Sequence, residues 1–345
     1  MTKRTSFSFY AFFIGVFLVT CVVAFWRGGY FKSGGEASVH TLKLAHGLDA
    51  THPVHLGMLH MQQRIAELSD GKLRLDIYAG GALGEESQSI EQLRNGSLDM
   101  TKASAAAVGT FIPEIQVLTL PYLFRDKEHY WKALDSQTGE KILGFLEMRN
   151  LVGLCFYDAG SRSFYTKNKQ IKTVDDLKGM KIRVMSSATD NALMAYMGAS
   201  ATPISSGELY TALSQGSVDG AENNFPTFLT SAHYEICKYM TLDEHTSIPD
   251  MLIIGKRTWN KLTPAQREIV KQAAHESSLY QRELWAQKTA EARRTLEEKG
   301  VIFYTPDKSS FKEKAQLLYE DFKTEDKYRK GSAIHQLSEE IKAIR

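Results

Sequence analysis

The chain is predicted to be an α/β protein made of two similar lobes. Three observations carry this: strand-like and helix-like segments alternate along most of its length, one helix-glycine-strand joint recurs at an offset of 120 residues, and one helical signal is too long for a single lobe. The strand-like segments are 41–45, 73–78, 152–157, 181–185 and 251–254. Between them, 55–68, 85–94, 190–197 and 206–213 place apolar residues at spacings of three and four, the period of a helix with one buried face.

The recurring joint is Glu91-Gln92-Leu93-Arg94-Asn95-Gly96-Ser97-Leu98-Asp99, matched by Thr211-Ala212-Leu213-Ser214-Gln215-Gly216-Ser217-Val218-Asp219 at its Leu, Gly-Ser, apolar and Asp positions. Each copy ends a helix at a glycine suited to the left-handed C′ position and then enters a strand. Chance recurrence is the alternative, since such joints are frequent in α/β proteins. The residues just beyond each copy favour two related lobes: Lys102 and Ser104 come after the first, and Glu222, Asn223 and Asn224 after the second. Polar groups just past the carboxyl ends of strands are where open α/β sheets bind ligands.

The longest helical signal opens at Thr263-Pro264-Ala265-Gln266, with Thr as N-cap, Pro at N1 and Gln as the reciprocal partner of a capping box. Unbroken to Lys299, with Gly300 as the stop, it would run about 54 Å at 1.5 Å per residue. Two stacked helices broken near 275–278 are the alternative. Beyond it, 301–304 reads as a strand and 311–322 as a helix, while 323–345 is polar, charged and expected to be partly disordered.

Composition is ordinary for a globular protein of 345 residues, 43% hydrophobic and 24% charged. The N-terminus differs from the rest: Lys3-Arg4 precedes an apolar run from Phe7 to Trp26, an export signal that is either cleaved or kept as a membrane anchor. Tyr30 to Ser38 then reads as a flexible tether, with glycines on both sides of Lys32. Setting aside 1–36 removes four basic residues and one acidic residue, leaving 38 against 39 and a net charge of −1. No basic field remains for nucleic acid. Of the cysteines, Cys155 and Cys237 lie in the exported body, where two separate buried thiols are expected and a disulfide stays open.

No hydrolase elbow, Walker loop, His-Glu-x-x-His or Cys-x-x-Cys is present, and the glycines at 80, 81 and 84 lack dinucleotide-loop spacing. His46, His52, His55 and His60 place no more than a pair on one helical face, so neither a metal nor another cofactor is expected. The polar set that remains is Arg162, Arg183 and Asn223. Two guanidiniums, charged at any working pH and offering planar forks of donors, together with an amide, suit a carboxylate ligand.

Gly-x-Arg-x-Phe-Tyr at 160–165, Asp-Leu-Lys-Gly-x-Lys-Ile-Arg-Val at 176–184 and Val-Asp-Gly-Ala-Glu-Asn at 218–223 resemble the solute-binding subunit of tripartite ATP-independent periplasmic (TRAP) transporters, the DctP-type family. Gly81-Ala82-Leu83-Gly84 and Leu120-Pro121-Tyr122-Leu123-Phe124 extend the resemblance, which covers about 40–325. It implies a two-lobe periplasmic-binding-protein fold with a hinged cleft and a long helix spanning both lobes. One lobe would hold 40–158 with 248–286, the other 159–247 with 287–325, leaving 326–345 as a C-terminal tail. It also implies roles: Arg183 makes a bidentate salt bridge to a ligand carboxylate, Arg162 adds a charge-assisted bond, Asn223 orients the ligand, and His46, Glu86 and Ser104 face its other polar groups from the opposite lobe. An acidic Glu86 disfavours a second carboxylate and suits hydroxyls. The expectation is a monomeric, non-catalytic binding protein that carries a sugar acid, such as a uronate or aldonate, to membrane-embedded permease subunits. A C4-dicarboxylate carrier, a periplasmic sugar-acid enzyme and a sensory subunit stay open beside it.

Overall fold

The computed structural model describes residues 39–324 and 333–345. The export signal, the tether and Cys21 lie outside the described residues. The strands are β1 His40–Ala45, β2 Leu73–Tyr78, β3 Met100–Ser104, β4 Leu151–Tyr157, β5 Arg162–Thr166, β6 Lys181–Val184, β7 Ser200–Pro203, β8 Gly220–Asn223, β9 Tyr239–Thr246, β10 Asp250–Gly255 and β11 Ile302–Tyr304. The helices that matter below are α1 Pro53–Leu68, α2 Glu86–Asn95, α3 Ala105–Gly109, α4 Ala188–Tyr196, α5 Leu209–Gln215, α6 Phe225–Thr230, α7 Pro264–Glu298, α8 Ser309–Thr324 and α9 Ala333–Ala343.

The strands form two sheets, ordered β2-β1-β3-β10-β4 and β11-β9-β5-β8-β6-β7. Their cores match. In the first, β2, β1 and β3 are parallel and β10 and β4 follow antiparallel; in the second, β7, β6 and β8 are parallel and β5 and β9 follow antiparallel. The two copies of the repeat occupy equivalent places. Gly96 and Gly216 end α2 and α5 at φ 84° and 75°. Asp99 then accepts the Lys43 backbone N–H at 2.9 Å, and Asp219 accepts that of Lys181 at 2.8 Å, each fastening the joint to the adjacent parallel strand. A glycine and an aspartate three residues on are thus what this joint requires.

Each sheet is covered on both faces. In lobe I, Leu42, Leu44 and Met58 pack on one side and Ile90, Met251 and Ile253 on the other; in lobe II, Ile182 and Leu193 pack on one side and Tyr165 and Leu213 on the other. Cys155 and Cys237 are separate free thiols buried in different lobes. The chain crosses between lobes at 158–161 and at 247–249, and α7 braces the first crossing. α7 is one unbroken helix of 35 residues whose capping box is the one expected, Thr263 with Gln266. Val270, Ala273 and Ala274 pack into lobe I and Leu296 into lobe II. At the crossing, Gln281 bonds both backbone groups of Asp158, accepting from its N–H at 2.8 Å and donating to its carbonyl at 2.9 Å. Gln281→Ala would leave both groups buried without partners, at about 1–3 kcal/mol each. Its expected effect is a melting point lower by several degrees, measured by calorimetry; an unchanged melting point would show that α7 does not hold the crossing.

Of the C-terminal segment expected to be partly disordered, residues 325–332 lie outside the described residues, and 333–343 form a helix. α9 lays Ile334, Leu337 and Ile341 onto the lobe I core, and Arg125 and His129 bond the carbonyls at its end, His129 Nε2 lying 2.8 Å from Ile341 O. A three-residue apolar stripe suffices here because lobe I supplies both a groove and caps for the last carbonyls.

Candidate functional site

Three neighbouring strands of lobe II bring the predicted residues together. β5 starts at Arg162, β8 ends at Asn223 beside it, and β6 pairs with β8 so that Arg183 stands opposite Ala221. Ile182 and Val184 go into the core, which turns Arg183 to the cleft, though it is only 4% exposed. These three residues, with Glu86 and Ser104 from lobe I, line a cavity of about 150 Å³ between the lobes. His46 does not line it. His46 Nδ1 accepts the Leu48 N–H, so Nε2 carries the proton and donates to His55 Nδ1 at 2.9 Å. Both nitrogens are occupied and burial pulls its pKa down to about 3, so His46 shapes the first strand-to-helix loop from behind.

The two arginines differ in what they have left to offer. Arg162 grips Glu222 through Nε and Nη2, the latter at 2.8 Å from Oε1, sends Nη2 also to the Glu222 carbonyl at 2.9 Å, and gives Nη1 to Asn223 Oδ1 at 3.1 Å. One Nη1 hydrogen remains. Burial works against its charge, but Glu222 outweighs that and holds its pKa above the ordinary value. Glu222, for its part, is buried yet drawn down to about 2 by Arg162. Behind it His245 sits 2.7 Å from Asp243 Oδ2, and that carboxylate, with Glu222, raises the imidazole to about 10 against its burial. Arg183 makes a single bond, Nε to the Ile204 carbonyl at 2.8 Å. Among the described residues no carboxylate lies within ion-pair distance of it, and burial lowers its pKa. Asn223 Oδ1 accepts from Arg162 and from Asn224 N–H, which leaves its amide nitrogen to donate to a ligand.

The lobe I wall is acidic. Lys102 Nζ lies 2.8 Å from Glu86 Oε1 and 3.2 Å from Asp250 Oδ1, and Ser104 N–H donates to the same Glu86 oxygen at 3.0 Å. Burial opposes the Lys102 charge, and the two carboxylates hold it above its ordinary pKa. One ammonium between two carboxylates leaves a formal charge of −1. Ser104 Oγ caps α3 through Ala106 N–H and reaches Met185 Sδ across the cleft at 3.6 Å. The cavity is completed by Asn224, which follows the second copy of the repeat, and by residues that no sequence motif singles out as ligand contacts: Glu85, His52 and Thr227. His52 Nε2 bonds Thr227 Oγ1 at 3.2 Å, tying α1 of one lobe to α6 of the other. The sequence points to Lys102 and Ser104 of this wall by their place just after the repeat and to Glu86 through the family resemblance, but not to Asp250.

Ala159 and Ile248 face the cavity, while Asp158, Gly160 and Ser247 line a wider groove of about 1040 Å³ beside Trp285 and Tyr319. Alternating residues of the crossing segments thus divide the two spaces. The larger one contains neither Arg162 nor Arg183, and of the cations that line it Arg125 is bonded to a carbonyl and Lys127, Lys308 and Lys342 are paired with carboxylates, whereas the smaller holds the unpaired Arg183. Among the described residues no group of three or more His, Cys, Asp or Glu could hold a metal ion.

Two lobes closing on a cleft with a buried, unpaired guanidinium define a solute-binding protein, and residues 44–326 match the family of bacterial extracellular solute-binding proteins, family 7; the chain belongs to that family, the solute-binding subunits of TRAP transporters. The solved TRAP periplasmic solute-binding protein of Xanthobacter autotrophicus Py2, with bound β-D-galacturonate, is 36% identical with a TM-score of 0.83, over 88% of this chain and all of that one (100%). The corresponding protein of Pseudomonas putida F1, with bound D-glucuronate, is 37% identical with a TM-score of 0.83, over 88% and 97%. Among curated relatives, the sialic acid-binding periplasmic protein SiaP of Vibrio cholerae is 30% identical over 75% of this chain and 80% of its own. The family is periplasmic, and among the described residues no helix is long and apolar enough to cross a membrane.

Proposed function

We propose that the chain captures a hydroxylated monocarboxylate, a hexuronate foremost, in the periplasm and delivers it to membrane-embedded TRAP permease subunits. The observation that carries this is the asymmetry of the cavity: a buried Arg183 with no carboxylate partner on one wall, and on the other a Lys102–Glu86–Asp250 cluster of net charge −1. One ligand carboxylate suits the first wall, and hydroxyl groups, which donate to carboxylates, suit the second. Relatives with bound galacturonate and glucuronate support the same class. Arg183 pairs with the carboxylate, the last Arg162 hydrogen and the Asn223 amide hold its orientation, and Glu86 accepts from a hydroxyl. Closure of the lobes retains the ligand, and the permease recognises the closed form. The chain acts as a monomer and without turnover, and the apolar N-terminal run exports it or anchors it at the inner membrane.

A thermal-shift screen with D-galacturonate, D-glucuronate, D-erythronate and succinate tests the reading, since a ligand at 100 times its Kd adds about 2.7 kcal/mol of stability. Wild-type protein preferring succinate would overturn the sugar-acid assignment. Glu86→Gln sharpens the test. Its amide oxygen can still accept from Lys102 and Ser104 N–H, while the charge facing a second carboxylate is gone. The affinity ratio of D-glucuronate to succinate is expected to fall about fivefold, the scale of ~1 kcal/mol at high effective dielectric. An unchanged ratio in competition titrations would take Glu86 out of the ligand site.

A further inference from the structure

Glu85 and Gly207 meet across the mouth of the cavity. Glu85 lies on the lobe I turn that starts α2, next to the cavity-lining Glu86; Gly207 lies on the lobe II loop between β7 and α5. The Glu85 carboxylate faces the backbone of Gly207, whose N–H favours its charged form. A side chain at 207 has no room: a Cβ there would stand 2.5 Å from Glu85 Oε1. Gly207 is not among the positive-φ glycines, so this position needs the missing side chain rather than backbone freedom. The contact joins lobes that share no backbone at this rim, so it exists only while the cleft is shut.

We propose that Glu85 and Gly207 form an interlobe latch, made after the lobes close, that sets how fast the bound acid leaves. The proposal rests on the reading that closure retains the ligand. Three charged groups act on the latch carboxylate: Glu86 beside it on α2, Glu208 on the opposing loop and Arg183 on β6. Glu208 accepts a hydrogen bond from Ser205 Oγ at 2.7 Å within its own loop. Burial and then Glu86 push the Glu85 pKa up, as expected of a carboxylate pressed into a closing rim. The latch is a positioning device: it acts on the closed state and leaves the carboxylate-binding set of lobe II untouched.

Stopped-flow release of D-glucuronate from the full-length chain tests it. Glu85→Ala and Gly207→Ala are each expected to speed release about tenfold, the scale of one charge-assisted hydrogen bond; Gly207→Ala leaves the ligand-free melting point unchanged, whereas Glu85→Ala also removes the N-cap of α2 and lowers it modestly. The double variant should release no faster than either single one, because the second change finds no latch to break. Glu85→Gln keeps an oxygen acceptor for the Gly207 N–H and should stay within about twofold of wild type. Additive effects, or unchanged release in the single variants, would overturn the latch. If wild-type protein binds succinate and ignores D-glucuronate, the uronate reading fails on its own, and the same cycle run with succinate decides the latch.

Discussion

Arg183→Ala is expected to weaken binding of a uronate by at least about a hundredfold while leaving the ligand-free melting point unchanged. The asymmetry follows from its partners. In the ligand-free chain the side chain makes one neutral bond, to the Ile204 carbonyl, and its charge is disfavoured by burial. Removing it therefore takes little from the fold. In the complex its loss would leave a ligand carboxylate buried without a counter-charge, a cost of about 2–5 kcal/mol. Arg183→Lys should also bind poorly, because with Nε committed to Ile204 the fork of Nη1 and Nη2 is what meets two oxygens, and a point charge cannot reproduce it. Titration calorimetry showing near-normal affinity in either variant would remove Arg183 from the site.

Arg162→Ala is expected to fail in the opposite balance, losing stability as well as ligand. Its guanidinium is committed to Glu222, which is buried beside the His245–Asp243 pair. Breaking such a pair costs about 3–5 kcal/mol, or a melting point lower by roughly 6–10 °C at about 2 °C per kcal/mol for a chain of this size. Replacing both partners, Arg162→Leu with Glu222→Leu, should recover part of the stability and none of the binding. The pH dependence carries a matching signature. Glu222 is held at about 2 against an unfolded value near 4.5, so it stabilises the fold above pH 4.5, and that contribution is lost as pH falls from 4.5 towards 2. Acid unfolding of Arg162→Ala should lack that step. A melting point within 2 °C of wild type would show that the pair is not holding the lobe.

Most of lobe II's contribution to the site is legible in the chain because it is local. Arg162 opens β5, Arg183 is the third of the four residues of β6 and Asn223 ends β8, each within four residues of a glycine, and such placing is a short-range property of sequence. The strand β5 is less legible as a strand, since all five of its residues are buried and no polar alternation marks it. The lobe I wall is legible only in part: the resemblance points to Glu86 and Ser104, but nothing in the sequence shows the cluster they join. Glu86, Lys102 and Asp250 are separated by 16 and 148 residues, and only the placing of β10 against β3 brings them within bonding distance. His46 illustrates the reverse case: its place in a strand-to-helix loop fits a ligand contact, yet His55, one turn into α1, and Leu48 take both of its nitrogens. α9 escapes a reading of the sequence because a stripe of three apolar residues among charges becomes a helix face only when a groove receives it.

By itself the sequence determined the α/β class, the paired construction of the lobes, the single long helix and a pair of guanidiniums suited to an acid, because each rests on periodicity, a cap or a motif within about ten residues. The tertiary structure alone decided which arginine is free to bind and which is committed to Glu222, that the opposite wall carries a net negative charge, and that Glu85 closes on a glycine of the other lobe. These depend on distances between residues far apart in the chain. Charge pairing and desolvation act over a few ångströms of space, whatever the separation in sequence.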